Sequence, residues 1–421
     1  MTMTSSSSGL GMTTIRLAHT ADWHIGSSYH LGDESKDGLN SRLRDYEDAI
    51  LRSCRQMVEE HADVVLFAGD GFRNSTPTPT EQAVFRRAMD VLCNANIPVL
   101  CIVGNHCLPR APGRTHALAI FNGYRGGVTV IDRPEVVTIK GLAIACLPWF
   151  SRGHLAAADP DFERLTLDEQ NARIVELSLA VLRKLGAEAE AQAMPLGSML
   201  LAHGSIGGSV VGAEGSTAFF REPVLPLSEL RGLPFRYQAW GHLHRAQTLD
   251  AAGVDGRVRY SGSIERIDFN EALEDKGWWL IELGAGDPGL EDDYNVTWRS
   301  SSPRPFADID LVDPTGWESE IFSLNGTIPG AIVRVKYEAT PEEARTVDHQ
   351  AIRRALYAAG ALKVHGPIAT IRHSVTEAAP TLTEETDVFS GWTEYADRLG
   401  LSDHERERLD RKVCEALEVT G

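Results

Sequence analysis

The segment Ile97–Arg110 reads IPVLCIVGNHCLPR. Its first part, Val99–Val103, is a short apolar run of the kind that forms a buried β-strand. The run stops at Gly104, and Asn105, His106 and Cys107 follow directly. Three polar or reactive side chains at the end of a buried strand have three interpretations: a metal site, a cysteine nucleophile with its histidine, or a plain turn.

The flanking sequence alternates between strand and helix patterns. TIRLAHTAD (14–22) and ADVVLFAGD (62–70) predict strands, while 39–61 and 80–95 have apolar residues at helical spacing. This order predicts right-handed crossovers and a largely parallel, buried sheet. The runs VTVID, VVTIK and LAIACLPWF are close enough to be linked by hairpins, and a long helix is expected at about 165–189.

The pattern divides the chain into segments. We expect a disordered leader at 1–13, a first α/β domain at 14–284, a small α+β domain at 294–378 and a polar helical tail at 382–421. The turn-rich, acidic stretch GAGDPGLEDD marks the boundary between the α/β domain and the small α+β domain. The tail has an amphipathic pattern and too few apolar residues for its own core, which is typical of a segment that docks on a partner.

Composition narrows the class of protein. The chain has 421 residues, of which 43% are hydrophobic and 24% charged, as in water-soluble globular proteins. No apolar run approaches the length of a membrane helix, and the six cysteines form no CxxC pair, which favours a reducing, cytoplasmic setting. The net charge of −18 argues against a nucleic-acid partner, although bound cations could offset it locally.

Polar residues follow five of the apolar strand patterns. The carboxyl ends of strands in α/β sheets are where ligands bind, so these side chains are expected to meet at one rim. Oxygen and nitrogen ligands in this number fit two divalent ions that share a carboxylate, an arrangement used for phosphate-ester hydrolysis. The seven residues are Asp22, His24, Asp70, Asn105, His203, His242 and His244.

The motifs DWH, GD, GNH, HG and GHLH, in this order, resemble those of the calcineurin-like metallophosphoesterase superfamily. The string YSGSIERIDFNE (260–271), together with HTADWHIG, is similar to the SbcD branch of DNA repair nucleases. The resemblance implies a four-layer α/β/β/α sandwich for the nuclease domain, then a small α+β capping domain and a C-terminal helical segment. Ser263–Asp268 is expected to support the rim.

The resemblance also implies the site. Asp22, His24 and His244 would hold one ion, and Asn105, His203 and His242 the other. Asp70 would bridge them, and His106 would be the catalytic imidazole beside the scissile phosphate. Manganese is the implied metal, although the ligand chemistry would also accept iron or zinc.

Two positions depart from the family pattern. Cys107 replaces an aspartate that would orient His106 from behind, and Arg73 replaces a histidine or aspartate after the bridging Asp70. Arg73 could contact a substrate phosphate. Cys107 is not expected to be a nucleophile, because no third group is evident to orient His106 as its base.

The implied function is a metal-dependent DNA phosphodiesterase, with double-strand exonuclease and single-strand endonuclease activity in double-strand-break repair. The implied partners are DNA and an SbcC-like coiled-coil ATPase, bound through the C-terminal helices, with a homodimer inside a heterotetramer and no membrane contact. Two alternatives stay open: a small-substrate phosphatase or cyclic-nucleotide phosphodiesterase, which the negative charge favours, and a weakly catalytic DNA-end-binding scaffold.

Overall fold

The computed structural model describes residues 14–109, 114–150, 152–153, 161–192, 196–211, 222–249, 256–284, 294–324, 326–372, 392, 396 and 406–413. Its helices are α1 (Ser41–Glu59), α2 (Pro79–Asn94), α3 (Leu167–Gln192), α4 (Leu227–Arg231), α5 (Trp317–Ser323), α6 (Pro341–Thr346) and α7 (His349–Ala358). Its strands are β1 (Ile15–Thr20), β2 (Val64–Phe67), β3 (Val99–Ile102), β4 (Val128–Ile131), β5 (Glu135–Ile139), β6 (Leu142–Leu147), β7 (Ser198–His203), β8 (Ser205–Ile206), β9 (Val224–Leu225), β10 (Tyr237–Gly241), β11 (Gln247–Thr248), β12 (Val258–Tyr260), β13 (Gly277–Leu283), β14 (Tyr294–Ser300), β15 (Phe306–Leu311), β16 (Ile332–Ala339) and β17 (Lys363–Ile371).

Two six-stranded sheets form the body of the first domain. The first has the order β14-β13-β1-β2-β3-β4, and the second has the order β11-β12-β10-β7-β6-β5. Strands β1, β2, β3 and β4 run parallel, as do β6, β7, β10 and β12. The parallel core predicted from the strand–helix alternation is therefore present in both sheets.

The alternation of side chains along each strand builds the layers. In β2, Val65 and Phe67 face the helices α1 and α2, whereas Val64 and Leu66 face the second sheet. In β7, Leu200 and Ala202 face α3, while the intervening residues join the inter-sheet core. The predicted four-layer α/β/β/α sandwich is confirmed.

Local signals fix where the two helices of the first layer begin. Asn40 caps α1 by accepting a hydrogen bond from the Arg42 amide. Thr78 and Glu81 form a capping box at the start of α2, with Pro79 in the first turn, which satisfies amides that have no partner within the helix. Both helices therefore begin within two residues of the expected positions.

Two sequence-based expectations need correction. VTVID and VVTIK are not linked in one sheet, since β4 lies at the edge of the first sheet and β5 at the edge of the second. The boundary at 284–294 is displaced by one strand, because β14 pairs antiparallel with β13 over its whole length. The second domain starts after Ser300, at Phe306.

The small domain is a three-stranded parallel sheet, β15-β16-β17, with α5, α6 and α7 packed on one face. It contacts the first domain through a small apolar cluster in which Phe269 packs on Phe306 at a ring separation of 5.1 Å. The expected leader at 1–13 and nearly all of the tail at 382–421 lie outside the described residues. Of the tail, the structure gives the bond from Trp392 to Asp410, 2.6 Å long. None of the described helices has the length and apolar character to cross a bilayer.

Candidate metal centre

The seven candidate ligands meet at the carboxyl edge of the two sheets. Strand β1 ends there and leads into Asp22 and His24, β2 leads into Asp70, and β3 leads into Asn105. Strands β7 and β10 of the second sheet end at the same edge, at His203 and just before His242. The structure therefore brings together side chains as distant in the chain as His24 and His244, which are 220 residues apart, as the strand-end argument predicts.

The first group consists of Asp22, His24 and His244. All three are buried. Nε2 of His24 lies 3.0 Å from Nε2 of His244 and 4.0 Å from a carboxylate oxygen of Asp22. The His242 amide donates to the Asp22 carboxylate at 2.9 Å and so fixes Asp22 against the GHLH turn.

The second group consists of Asn105, His203 and His242. The amide oxygen of Asn105 lies 2.9 Å from Nε2 of His203 and 3.1 Å from Nδ1 of His242. The Ala68 carbonyl accepts the Nδ1 proton of His203 at 2.7 Å. These contacts point one ring nitrogen of each histidine and the amide oxygen at the same small volume.

Asp70 lies between the two groups. It can share an ion with His24 and His106 on one side, and with His203 and His242 on the other. One carboxylate oxygen accepts the His106 amide proton at 2.9 Å. The other is buried and accepts no hydrogen bond from any described residue, although Nε2 of His203 is 3.3 Å away. An unsatisfied buried carboxylate oxygen at this point fits a bridging ligand for two cations.

Glycines make this close approach feasible. A Cβ atom at Gly104 would lie 2.3 Å from the Asp70 carboxylate, and one at Gly69 would lie 2.5 Å from Nδ1 of His203. Asp22, His24 and Asp70 themselves have positive φ angles, a conformation that costs non-glycine residues about 1–3 kcal/mol and that clusters at functional sites.

The proton balance of the groups also fits cations. His203 gives its Nδ1 proton to a carbonyl, so a neutral ring presents a lone pair to the Asn105 oxygen, which is itself an acceptor. Burial opposes ionisation of His203, but Asp70, Asp22 and the Ala68 carbonyl together raise its pKa to about 9. Nε2 of His203 faces oxygen atoms of Asn105 at 2.9 Å and of Asp70 at 3.3 Å, a setting that favours a positive charge.

The pair His24 and His244 shows the same pattern. Two nitrogen ligands at right angles, each about 2.1 Å from one ion, would lie about 3.0 Å apart. The two ring nitrogens are observed at this separation of 3.0 Å. Burial, and then the neighbouring His244, hold the pKa of His24 well below its usual range, which keeps the ring neutral and able to coordinate. Burial raises the pKa of Asp22 to about 6, against the opposing effect of the nearby histidines.

His106 is exposed beside this centre. Its Nδ1 donates to the Arg73 carbonyl at 2.9 Å, and its ring packs edge-on against His24 at 4.8 Å. The Arg73 side chain is also exposed; its guanidinium donates to the Gly26 carbonyl at 3.2 Å and lies 5.9 Å from the Tyr29 ring. The main chain of Arg73 thus orients the imidazole.

Cys107 is fully buried in the apolar cluster beneath the first sheet. Burial raises the pKa of its thiol to about 12, so the sulfur is a protonated, apolar side chain. The place of an orienting group behind His106 is taken by the Arg73 carbonyl.

Sequence reasoning missed three residues at this edge. Glu222 accepts from Nε2 of His242 at 2.8 Å, and Glu271 accepts from Nδ1 of His244 at 3.0 Å. Trp149, which follows β6, packs against His242 with the two rings tilted and their centres 5.1 Å apart. The position of Trp149 after a strand could have pointed to it, and Glu271 is the last residue of the string YSGSIERIDFNE. Nothing in the sequence marks Glu222.

The string at 263–268 is structural, as expected. Glu265 is buried and accepts from the Arg304 amide at 2.9 Å, and it lies 3.6 Å from the buried guanidinium of Arg42. The Arg266 side chain donates to the carbonyls of Glu271, Glu274 and Arg304. These bonds tie the rim to α1 and to the start of the small domain.

Comparison with known proteins agrees with this geometry. The family model described as calcineurin-like phosphoesterase matches residues 15–246. The chain belongs to the calcineurin-like phosphoesterase family. The matched range contains all seven candidate ligands and His106, and the fold expected for the family is the one observed.

Curated relatives confirm the resemblance to the SbcD branch. The chain is 26% identical over 313 residues to the DNA double-strand break repair protein Mre11 of Methanocaldococcus jannaschii, covering 72% of this chain and 71% of the relative. It is 29% identical over 294 residues to the SbcD component of the nuclease SbcCD of Rhodobacter capsulatus, covering 65% and 67%. It is 25% identical over 365 residues to the SbcD component of the nuclease SbcCD of Bacillus subtilis, covering 79% and 89%.

Proposed function

We propose that this protein is a divalent-metal-dependent DNA phosphodiesterase that acts as a double-strand exonuclease and single-strand endonuclease in double-strand-break repair. The observation that carries the proposal is the pair of converging ligand groups joined by the unsatisfied Asp70 carboxylate. The names of its relatives, a double-strand break repair protein and the SbcD component of a nuclease, support DNA as the substrate.

In this proposal Asp22, His24 and His244 hold one ion, Asn105, His203 and His242 hold the other, and Asp70 bridges. Manganese is the proposed metal for both positions. Two such ions supply an activated water and neutralise the charge on the phosphoryl oxygens when bound. The net charge of −18 makes this local neutralisation important, because a net negative chain is repelled by phosphate backbones overall.

His106 is the proposed catalytic acid. Since the Arg73 carbonyl accepts the Nδ1 proton, Nε2 is the nitrogen left to face the substrate. A protonated ring donates its Nε2 proton to the leaving sugar oxygen, and the carbonyl stabilises the ring's positive charge. The exposed guanidinium of Arg73 is the proposed contact to a neighbouring phosphate.

The proposed assembly is a heterotetramer of two copies of this chain with a cytoplasmic SbcC-like coiled-coil ATPase, joined through the helical tail at 382–421. The two relatives that are components of the nuclease SbcCD support such a partner. The nuclease domain at 14–284 would cut DNA, and the capping domain, proposed at 294–378, would orient it. The capping assignment moves to Phe306 onward once β14 is counted with the first sheet.

The test is Mn²⁺-dependent digestion of end-labelled linear duplex DNA, run beside cyclic nucleotides and p-nitrophenyl phosphate. We expect the wild type to cut DNA and His106→Ala to keep two bound ions but lose most cutting. His61→Ala is the matched control, because His61 is an exposed histidine at the opposite, amino end of β2.

Three results would count against the proposal. Turnover of the small substrates alone would favour a small-substrate phosphatase. Binding of metal and DNA ends without hydrolysis would favour a scaffold. Wild-type cutting by His106→Ala would remove His106 from the mechanism.

A further inference from the structure

His244 is held by a carboxylate that lies outside the ligand set. Glu271 accepts from Nδ1 of His244 at 3.0 Å, and its side chain has no exposed surface. A carboxylate only accepts hydrogen bonds here, so the ring must carry its proton on Nδ1 and present a lone pair on Nε2. That Nε2 is the atom that faces His24 across 3.0 Å.

From this geometry we infer that Glu271 is a positioning residue, which sets the tautomer and the angle of His244 for the ion held with Asp22 and His24. The inference rests on the proposed two-metal centre. Carboxylates that accept the outer proton of a ligating imidazole fix the ring and increase its basicity.

A buried lysine makes the carboxylate tolerable in this position. Lys276 has a fully buried side chain whose ammonium lies 3.0 Å from Glu271 and 2.8 Å from Glu274, and donates to the His244 carbonyl at 2.9 Å. All three ammonium protons therefore have an acceptor. A carboxylate buried at this depth without such a partner would be strongly disfavoured or become protonated.

The remaining oxygen of Glu271 is also committed. It accepts from the Ile267 amide at 2.7 Å as well as from Lys276. The carboxylate therefore has one oxygen for His244 and one for two other donors, and it cannot rotate without losing one of them.

Glu271→Gln tests this arrangement with almost no change of shape. The amide has one acceptor oxygen for three donors. If that oxygen serves Lys276 and Ile267, the amide nitrogen faces Nδ1 of His244 and forces the ring proton onto Nε2, into the ion's position. Glu274→Gln is the matched control, because Glu274 also pairs with Lys276 but its carboxylate bonds no imidazole among the described contacts.

The measurement is calorimetric titration of the metal-free protein with Mn²⁺, together with thermal unfolding in EDTA. We expect Glu271→Gln to bind one of the two ions about 10–100-fold more weakly, the other unchanged, while Glu274→Gln binds both as the wild type does. Wild-type binding of both ions by Glu271→Gln would overturn the inference, as would equal weakening in both variants.

A second measurement keeps the inference testable if Glu271→Gln does not fold. Long-range ¹H–¹⁵N correlation spectra of histidine-labelled, metal-free wild type should show His244 with its proton on Nδ1. A proton on Nε2 alone would refute the role inferred for Glu271. A wild type that binds two ions but cuts no DNA would end the nuclease proposal and leave this one intact. Failure to bind any ion would end both.

Discussion

Gly69→Ala is the change that tests how closely the two sheets must approach at the metal centre. Gly69 has φ +98°, and an added Cβ would lie 2.5 Å from Nδ1 of His203 and 3.1 Å from the Gly104 backbone. Nδ1 of His203 donates to Ala68 at 2.7 Å. The new methyl group therefore displaces a ring of the proposed metal centre.

The magnitude follows from two contributions. A non-glycine residue with a left-handed backbone costs about 1–2 kcal/mol, and loss of the bond from His203, a buried donor, costs about 1–3 kcal/mol. Gly69→Ala should thus lower the free energy of unfolding by about 2–5 kcal/mol. Gly141→Ala is the matched control, since Gly141 has φ +81° with open space around its missing Cβ, and should lose about 1–2 kcal/mol.

The assay is urea unfolding in EDTA, followed by tryptophan fluorescence, with a parallel Mn²⁺ titration by calorimetry. Both substitutions restrict the unfolded chain to the same extent, so the difference between them isolates the displaced ring. We expect only Gly69→Ala to weaken the binding of one ion, by at least about 10-fold. Equal losses of stability in the two variants, with metal binding intact, would refute the argument that Gly69 makes room for His203.

Three further outcomes follow from the same contacts. Glu222→Gln should weaken the binding of one ion about 10-fold in calorimetry, because Glu222 fixes the outer nitrogen of a candidate ligand. Glu229→Gln breaks only an exposed ion pair and should leave metal binding unchanged, so similar behaviour of the two variants would contradict the prediction. Cys107→Asp should not raise DNA cleavage and should lower the free energy of unfolding by about 3–5 kcal/mol, because it buries an unpaired carboxylate; faster cleavage would mean that the His106 ring lacks an orienting group. Cys54 should resist thiol reagents in the native protein at pH about 8.5, since burial raises its pKa from 9 to about 12. As the pH rises past 9 the thiol ionises first in the unfolded chain, so it lowers the stability of the folded protein there. Rapid labelling of the native protein, measured by mass spectrometry, would contradict the burial of this thiol.

Much of the architecture could be predicted because it depends on local patterns. Apolar runs such as Val99–Ile102 form strands wherever they are buried on both faces, and the helical spacing in 39–61 requires one apolar face. The carboxyl ends of parallel strands share an edge, so Asp70 and Asn105 had to lie near each other once both strands were assigned. The first sheet's core and the proximity of the candidate ligands follow from these rules.

Elements without a strong local pattern were placed less well. VTVID and VVTIK are adjacent in the chain but belong to different sheets, and β14 joined the first domain although the acidic turn before it resembles a linker. Pairing between strands depends on which edges remain open after packing, and a short strand carries little information about its partner.

The sequence by itself determined the kinds of ligand atoms and the strand ends that carry them. The tertiary structure decided which nitrogen of each imidazole faces the candidate metal centre, because that depends on acceptors contributed by distant segments: the Ala68 carbonyl for His203, Glu222 for His242 and Glu271 for His244. It also decided that Arg73, through its carbonyl, orients His106 while Cys107 packs in the core. A hydrogen bond needs two atoms about 3 Å apart, and only the packing of the whole domain brings such pairs together.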